Sequence, residues 1–217
     1  SARRTAELET LSTVLGKQHR IFPLDVADHD AVVRAVTAIQ TQFPRIDRVI
    51  FMAAAYVPAG ESAVAPEMVQ QIVNVNLTGA MYVSNAVLPV LKAQQQGQLV
   101  LCASAAGYRG MPGGQPYSAT KAGLINYAES LQVEVDTHID MKVSTPGFVQ
   151  TRITDKNDCP MPMILTPEKA AKAIATAQEE AARALWALCA SHAPNQSAVA
   201  DASGIAPLVA LVGNGSD

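Results

Sequence analysis

The feature that most constrains this chain is an alternation of short apolar runs with longer stretches of helical spacing. Residues 21–24, 48–55, 99–103 and 141–145 are short, apolar and suited to buried strands. Asp28 stands where it can cap a helix whose apolar stripe is Val32, Val33, Val36 and Ile39, and Phe43-Pro44 ends that helix. Further helices are expected over residues 5–15 (Leu8, Leu11, Leu15), 65–91 and 117–135, the last with Leu124, Ile125, Ala128 and Leu131 on one side. Another starts at Thr166-Pro167-Glu168, with Thr at the N-cap and Pro in the first helical position. Residues 206–212 supply a candidate last strand. Strands alternating with helices predict a Rossmann-like, doubly wound parallel sheet with helices on both faces.

Composition narrows the function classes. A chain of 217 residues with neither internal repeats nor a convincing linker reads as one domain, residues 1–217. With 49% hydrophobic and 16% charged residues it has the makings of a packed core, not of a disordered segment. A net charge of −3 without a Lys/Arg cluster offers no footprint for nucleic acid. No apolar run is long enough to span a bilayer, and the opening Ser1-Ala2-Arg3-Arg4 has no signal-peptide core. The cysteines, Cys102, Cys159 and Cys189, lie far apart with no metal-ligand spacing and read as reduced thiols, so no metal and a cytoplasmic location are expected.

The sharpest chemical signal is Tyr117-Ser-Ala-Thr-Lys121. Positions i and i+4 share a helix face, and a cation beside a phenol stabilises phenolate, bringing proton transfer toward neutral pH. Upstream, Ser104 follows a buried strand, where α/β sheets place their ligand crevices, and its hydroxyl can donate to a carbonyl oxygen. Taken alone, Ser104 reads first as a residue satisfying a strand end. Asn76 and Gly79 are two poor helix formers in one turn of the long helix. Either they serve function or that helix packs closely on a neighbour.

Together Asn76-Leu-Thr-Gly79, Ser104-Ala-Ala-Gly107, Tyr117-Ser-Ala-Thr-Lys121 and Pro146-Gly147-Phe-Val-Gln-Thr151 resemble, in order and spacing, the short-chain dehydrogenases/reductases. The resemblance runs from residue 1 to about residue 175, and Asp25-Val26 after the early strand also matches. It implies an NAD(P)-dependent oxidoreductase that interconverts a carbonyl and an alcohol of a small-molecule substrate. Tyr117 would be the general acid/base, Lys121 its partner and a ligand of the nicotinamide ribose, Ser104 the group orienting the substrate oxygen, and Asn76 the holder of a relay water. Asp25 and Val26 would contact adenine. Ala53 would also contact the coenzyme, and Pro146, Gly147, Val149 and Thr151 would line the nicotinamide. Residues 154–163 are similar to a substrate lid of some bacterial members, with Met and Pro forming an adaptable apolar wall.

The sequence also departs from the family's pattern. The strand, glycine-rich turn and helix that carry the pyrophosphate are not found, since Ser1-Ala2-Arg3-Arg4 matches the end of the family's second strand. The glycine-rich residues 107–114 precede the Tyr117 helix and are no substitute. The family's Asn-Ala-Gly after the fourth strand stands here as Met52-Ala53-Ala54, and beyond about Gln178 the resemblance ends. An incomplete sequence explains these departures, and the chain as written is expected to bind coenzyme poorly. Arg3 and Arg4 stand where a 2′-phosphate would be met, so NADP(H) is expected over NAD(H), with a solvated helix start as the plain alternative. Apolar residues on more than one face of the two long helices point to a homodimer or homotetramer. The competing reading is a non-catalytic relative that binds a nucleotide or a partner, disfavoured because such a module has no need of Ser104, Tyr117 and Lys121 together.

Overall fold

The computed structural model describes residues 20–58 and 64–176, with positions 6, 8–10 and 13 near the N-terminus. Arg3 and Arg4, most of the expected helix over 5–15 and the candidate strand at 206–212 lie outside the described residues. Helix α1 is His29–Gln42, β1 Arg48–Phe51, α2 Pro66–Val73, α3 Gly79–Gln94 and β2 Gly97–Cys102. Helix α4 is Gln115–Glu134, β3 Ile139–Ser144 and α5 Pro167–Thr176. The three strands form a parallel sheet in the order β1-β2-β3. This is a Rossmann-like α/β fold, a parallel sheet flanked by helices.

Strand β2 is central, and its side chains show it. Leu99, Val100 and Leu101 are all fully buried, as expected where both sheet faces are covered. Leu99 pairs with Val49 on one side and Met141 on the other, and Leu101 with Phe51 and Val143. The core gathers these residues with Val87 and Leu91 of α3 and with Leu124 and Ala128 of α4. The residues 21–24 carry a single bridge position, at Pro23, and no ladder strand.

Local chemistry sets most element ends. The Asp28 carboxylate accepts from Ala31 N at 3.0 Å and caps α1 as expected. Val32 and Ala35 are buried but Val33 is 42% exposed, so the buried stripe is narrower than the apolar pattern implied. Helix α3 ends with Gln95 in the left-handed region and then Gly97 at φ 151°, where the Leu91 side chain crowds the backbone. Thr166 Oγ1 accepts from Lys169 N at 3.4 Å at the start of α5.

Two features differ from the sequence expectation and bear on the site. Residues 65–91 were expected as one helix, but α2 and α3 are joined by a π-helical turn, Asn74–Thr78. Strand β1 stops at Phe51 rather than running to residue 55. Within that turn, Asn76 Oδ1 accepts from Ala55 N at 2.7 Å and its Nδ2 donates to Ala55 O at 3.0 Å, taking the backbone groups that a longer strand would use. A side chain, not a neighbouring strand, satisfies the backbone of Ala55.

Candidate functional site

The carboxyl ends of β2 and β3 converge one step beyond the strands. Ala103 N donates to Ser144 O at 2.7 Å and Ala105 N to Pro146 O at 3.0 Å, which sets Ser104 beside Pro146-Gly147. Crevices at this end of parallel sheets are the usual ligand sites of such folds. Ser104 is extended (φ −168°, ψ 155°), and its Oγ accepts from Ala106 N at 3.2 Å, opening the 3₁₀ turn Ala105–Gly107. That turn lies directly on α4: a Cβ at Gly107 would stand 2.8 Å from the carbonyl carbon and oxygen of Lys121. Only glycine lets the Ser104 turn approach the Tyr117 helix this closely.

Helix α4 presents Tyr117 and Lys121 to the same space. The Ser104 hydroxyl lies near enough to the Tyr117 phenol to favour its ionised form. Lys121 is 2% exposed, its Nζ donates to the Cys102 carbonyl at 2.7 Å, and it lies 5.6 Å from the centre of the Tyr117 ring. Burial pushes the Lys121 ammonium below its ordinary value, opposed by Cys102. Burial pushes Tyr117 up to about 12, the Ser104 hydroxyl pulls the other way, and Cys102 and Tyr56 add to the rise. This reverses the depression expected from Lys121. The ammonium is committed to a backbone carbonyl, and desolvation of the phenolate outweighs it. The phenol is therefore held protonated at neutral pH, the form a proton donor needs.

Asn76 is fully buried, and besides Ala55 its Nδ2 donates to Thr120 Oγ1 at 3.1 Å. Thr120 Oγ1 in turn donates to Tyr117 O at 2.7 Å. The π turn, the loop after β1 and the first turns of α4 are thus tied through one amide. Both Nδ2 hydrogens go to protein, so the Asn76 side chain clamps the loop after β1 to α4. Thr120 was not singled out from sequence, although its place within the Tyr117–Lys121 turn was the available signal.

Ser104, Tyr117 and Lys121 share one cavity of about 440 Å³ with Pro146, Gly147, Val149 and Thr151. The space in front of Gly147 is open, with no atom within 4 Å of where a Cβ would stand. A flat ring can lie against that backbone with Lys121 on the same cavity, so these residues fit the nicotinamide end of a coenzyme. Asp25, Val26 and Ala53 do not line it. Asp25 Oδ1 accepts from Ala27 N at 3.0 Å, Val26 packs against Gly79, and Ala53 packs on the core, whereas its neighbours Met52 and Ala54 reach the cavity.

The far wall was only partly anticipated. From residues 154–163, Thr154, Asn157 and Cys159 line the cavity, but Pro160, Met161, Pro162 and Met163 do not. The 151–164 excursion is closed at its base by Leu165, whose N donates to Phe148 O and whose O accepts from Gln150 N, both at 2.9 Å. Tyr56, unnoticed in the sequence, packs edge-on to Tyr117 with ring centres 5.2 Å apart, and its hydroxyl donates to Asn157 Oδ1 at 2.8 Å. Its only sequence signal was its place just after the exit of β1.

Residues 1–160 match the family model for short chain dehydrogenases. An uncharacterised oxidoreductase of Myxococcus xanthus is 32% identical over 169 residues, 76% of this chain and 67% of that protein. An oxidoreductase of Botryotinia fuckeliana is 36% identical over 155 residues, 70% of this chain but only 56% of its own length, so the chain spans little more than half of that relative. Among solved structures, a variant actinorhodin polyketide ketoreductase with NADPH superposes with a TM-score of 0.71 at 22% identity, covering 81% of this chain and 78% of that one. At that identity the likeness concerns the fold.

Proposed function

The chain belongs to the short-chain dehydrogenase family of oxidoreductases, and from that premise we propose that it interconverts a carbonyl and an alcohol with a nicotinamide coenzyme, Tyr117 acting as general acid/base. The observation that carries this reading is the convergence of the Ser104 hydroxyl, the Tyr117 phenol and the Lys121 ammonium on one cavity. When bound, the coenzyme supplies the hydride. In reduction the phenol gives its proton to the substrate oxygen, so that C=O gains one hydride at carbon and one proton at oxygen. Ser104 donates to the same oxygen and orients it. Lys121, held at the Cys102 carbonyl beside the Tyr117 ring, would stabilise the phenolate left behind and bind the ribose, and a proton from solvent returns to the phenolate before the next turnover. Asn76 holds the loop after β1 against α4 through Ala55 and Thr120.

The coenzyme is proposed to be NADP(H) rather than NAD(H), on the strength of Arg3 and Arg4, and the assembly a homodimer or homotetramer. The test is loss of reduced-coenzyme absorbance with a panel of small ketones and aldehydes, run with NADPH and NADH in parallel. Carbonyl-dependent oxidation with tighter NADPH binding supports the reading. Equal or tighter NADH binding removes the coenzyme assignment, a monomeric mass by light scattering removes the assembly, and coenzyme oxidation with no carbonyl of the panel removes the activity.

A further inference from the structure

The proposed activity leaves the substrate open, and the cavity wall narrows it. Besides Pro146-Gly147, the cavity is lined by Tyr56, Met111, Pro112, Ile153, Asn157 and Cys159. Among the described residues, Lys121 is the one charged side chain lining the cavity; no Arg, His, Asp or Glu reaches it. Several polar groups of this wall are engaged with protein partners. The Tyr56 hydroxyl donates to Asn157 Oδ1, and Asn157 Nδ2 points to Met161 Sδ at 3.6 Å. Thr154 Oγ1 engages Val149 O at 2.6 Å and Thr151 O at 2.9 Å, and Ser118 Oγ sits 3.5 Å from Met111 N.

Resting on the oxidoreductase reading above, we propose that the site takes carbonyl compounds whose substituents next to the reacting carbon are uncharged and apolar, and discriminates against those bearing a carboxylate there. The reason is desolvation. A carboxylate beside the carbonyl would enter a wall of mainly thioether, aromatic and aliphatic groups on which Lys121 is the one cation, and an unpaired buried charge is among the costliest things a protein can accept. Lys121 does not relieve this, since its ammonium is held at the Cys102 carbonyl and lies toward Tyr117. A neutral ketone or ester asks only for the Ser104 and Tyr117 donors at its oxygen, and its apolar groups replace water along Met111 and Ile153.

The experiment uses matched series of 2-oxo and 3-oxo acids and their methyl esters, which differ in charge and hardly in shape, with kcat/KM measured for each under saturating reduced coenzyme. Esters should exceed their acids by at least ~100-fold. Met111→Lys, which puts a cation into the apolar wall, should narrow that ratio about tenfold or more in favour of the acids. Acids turned over as well as or better than esters overturn the proposal while leaving the oxidoreductase reading standing. So does an ester-to-acid ratio that Met111→Lys leaves unchanged in a folded variant. Failure of both series, with carbonyl-dependent turnover seen on simple ketones, overturns the proposal alone; failure with every carbonyl overturns the reading beneath it.

Discussion

Replacing Asn76 with Ala deletes three hydrogen bonds at once, one buried and two partly buried. The Ala55 N–H loses its acceptor, the Ala55 carbonyl loses its donor, and Thr120 Oγ1 loses the Nδ2 hydrogen. Thr120 keeps its bond to Tyr117 O, so the main loss is at Ala55. Each partly buried backbone group stranded without a partner costs roughly 1–3 kcal/mol. Some relief from water entering the small gap brings the expected total to about 2–4 kcal/mol. At roughly 2–4 °C per kcal/mol for chains of this length, the thermal midpoint should fall by about 5–15 °C. Asn76→Asp separates hydrogen bonding from shape. It keeps an acceptor for Ala55 N but turns carboxylate oxygen toward Ala55 O, so it should be at least as damaging as Ala at neutral pH and milder in acid, where the carboxyl regains a donor. Thermal or urea unfolding of both variants is the assay. An Asn76→Ala protein within about 1 kcal/mol of the parent, or an Asn76→Asp protein equal to the parent at neutral pH, would refute the clamp.

Three further outcomes follow from the geometry around α4. Gly107→Ala must part the Ser104 turn from the backbone of Lys121 and from Ile125 Cδ1, each 2.8 Å from the new methyl; overpacking of this kind costs about 1–3 kcal/mol. The same shift displaces Ser104 from Tyr117, and kcat should fall about 10–100-fold, read by steady-state kinetics beside a melting curve. Lys121→Met should abolish most turnover but change stability by no more than about 1 kcal/mol, because loss of the Cys102 carbonyl's donor is offset by release of a buried ammonium. Folding raises the Tyr117 phenol from 10.0 to about 12, so the stability tied to its protonated form is complete below about pH 10 and is lost as the pH climbs through 12. Tyrosinate absorbance should include a late-titrating phenol, beside the raised Tyr56 and Tyr127, that is missing in Tyr117→Phe and later still in Ser104→Ala; a Tyr117 that ionises at or below its ordinary value contradicts the burial account.

What could be read from the sequence was whatever depends on neighbours along the chain. The Asp28 cap, the Thr166 start, the buried run of β2 and the placing of Tyr117 and Lys121 one helical turn apart all rest on short-range chemistry, and the structure has them. The Asn76-Gly79 anomaly was visible as two poor helix formers, but the bonds from Asn76 to Ala55 join segments 21 residues apart and could not be read from either one. The end of β1 was misjudged for the same reason: residues 52–55 are apolar enough for a strand, but an amide side chain takes Ala55's backbone groups. The stripe of α1 was drawn too wide because apolarity does not say which of two adjacent valines faces in, and Val33 faces out. The Met- and Pro-rich residues 160–163 looked like a wall by composition. The cavity instead borrows Met111, Ile153 and Tyr56, which only the tertiary fold brings together. The direction of the Tyr117 shift was likewise beyond reach, since it depends on where the Lys121 ammonium finds its acceptor.

The central claim is that Tyr117 moves the proton. Tyr117→Phe keeps the ring, its edge-on packing with Tyr56 and the wall of the cavity, and removes only the hydroxyl that meets Ser104. Turnover of a neutral ketone by this variant, measured beside coenzyme affinity from fluorescence titration, isolates that one group. General acid–base catalysis contributes about 10²–10⁴-fold, so kcat should fall by that factor while coenzyme affinity changes by less than about threefold. A Tyr117→Phe protein that turns over its ketone at a rate near the parent's would contradict the account.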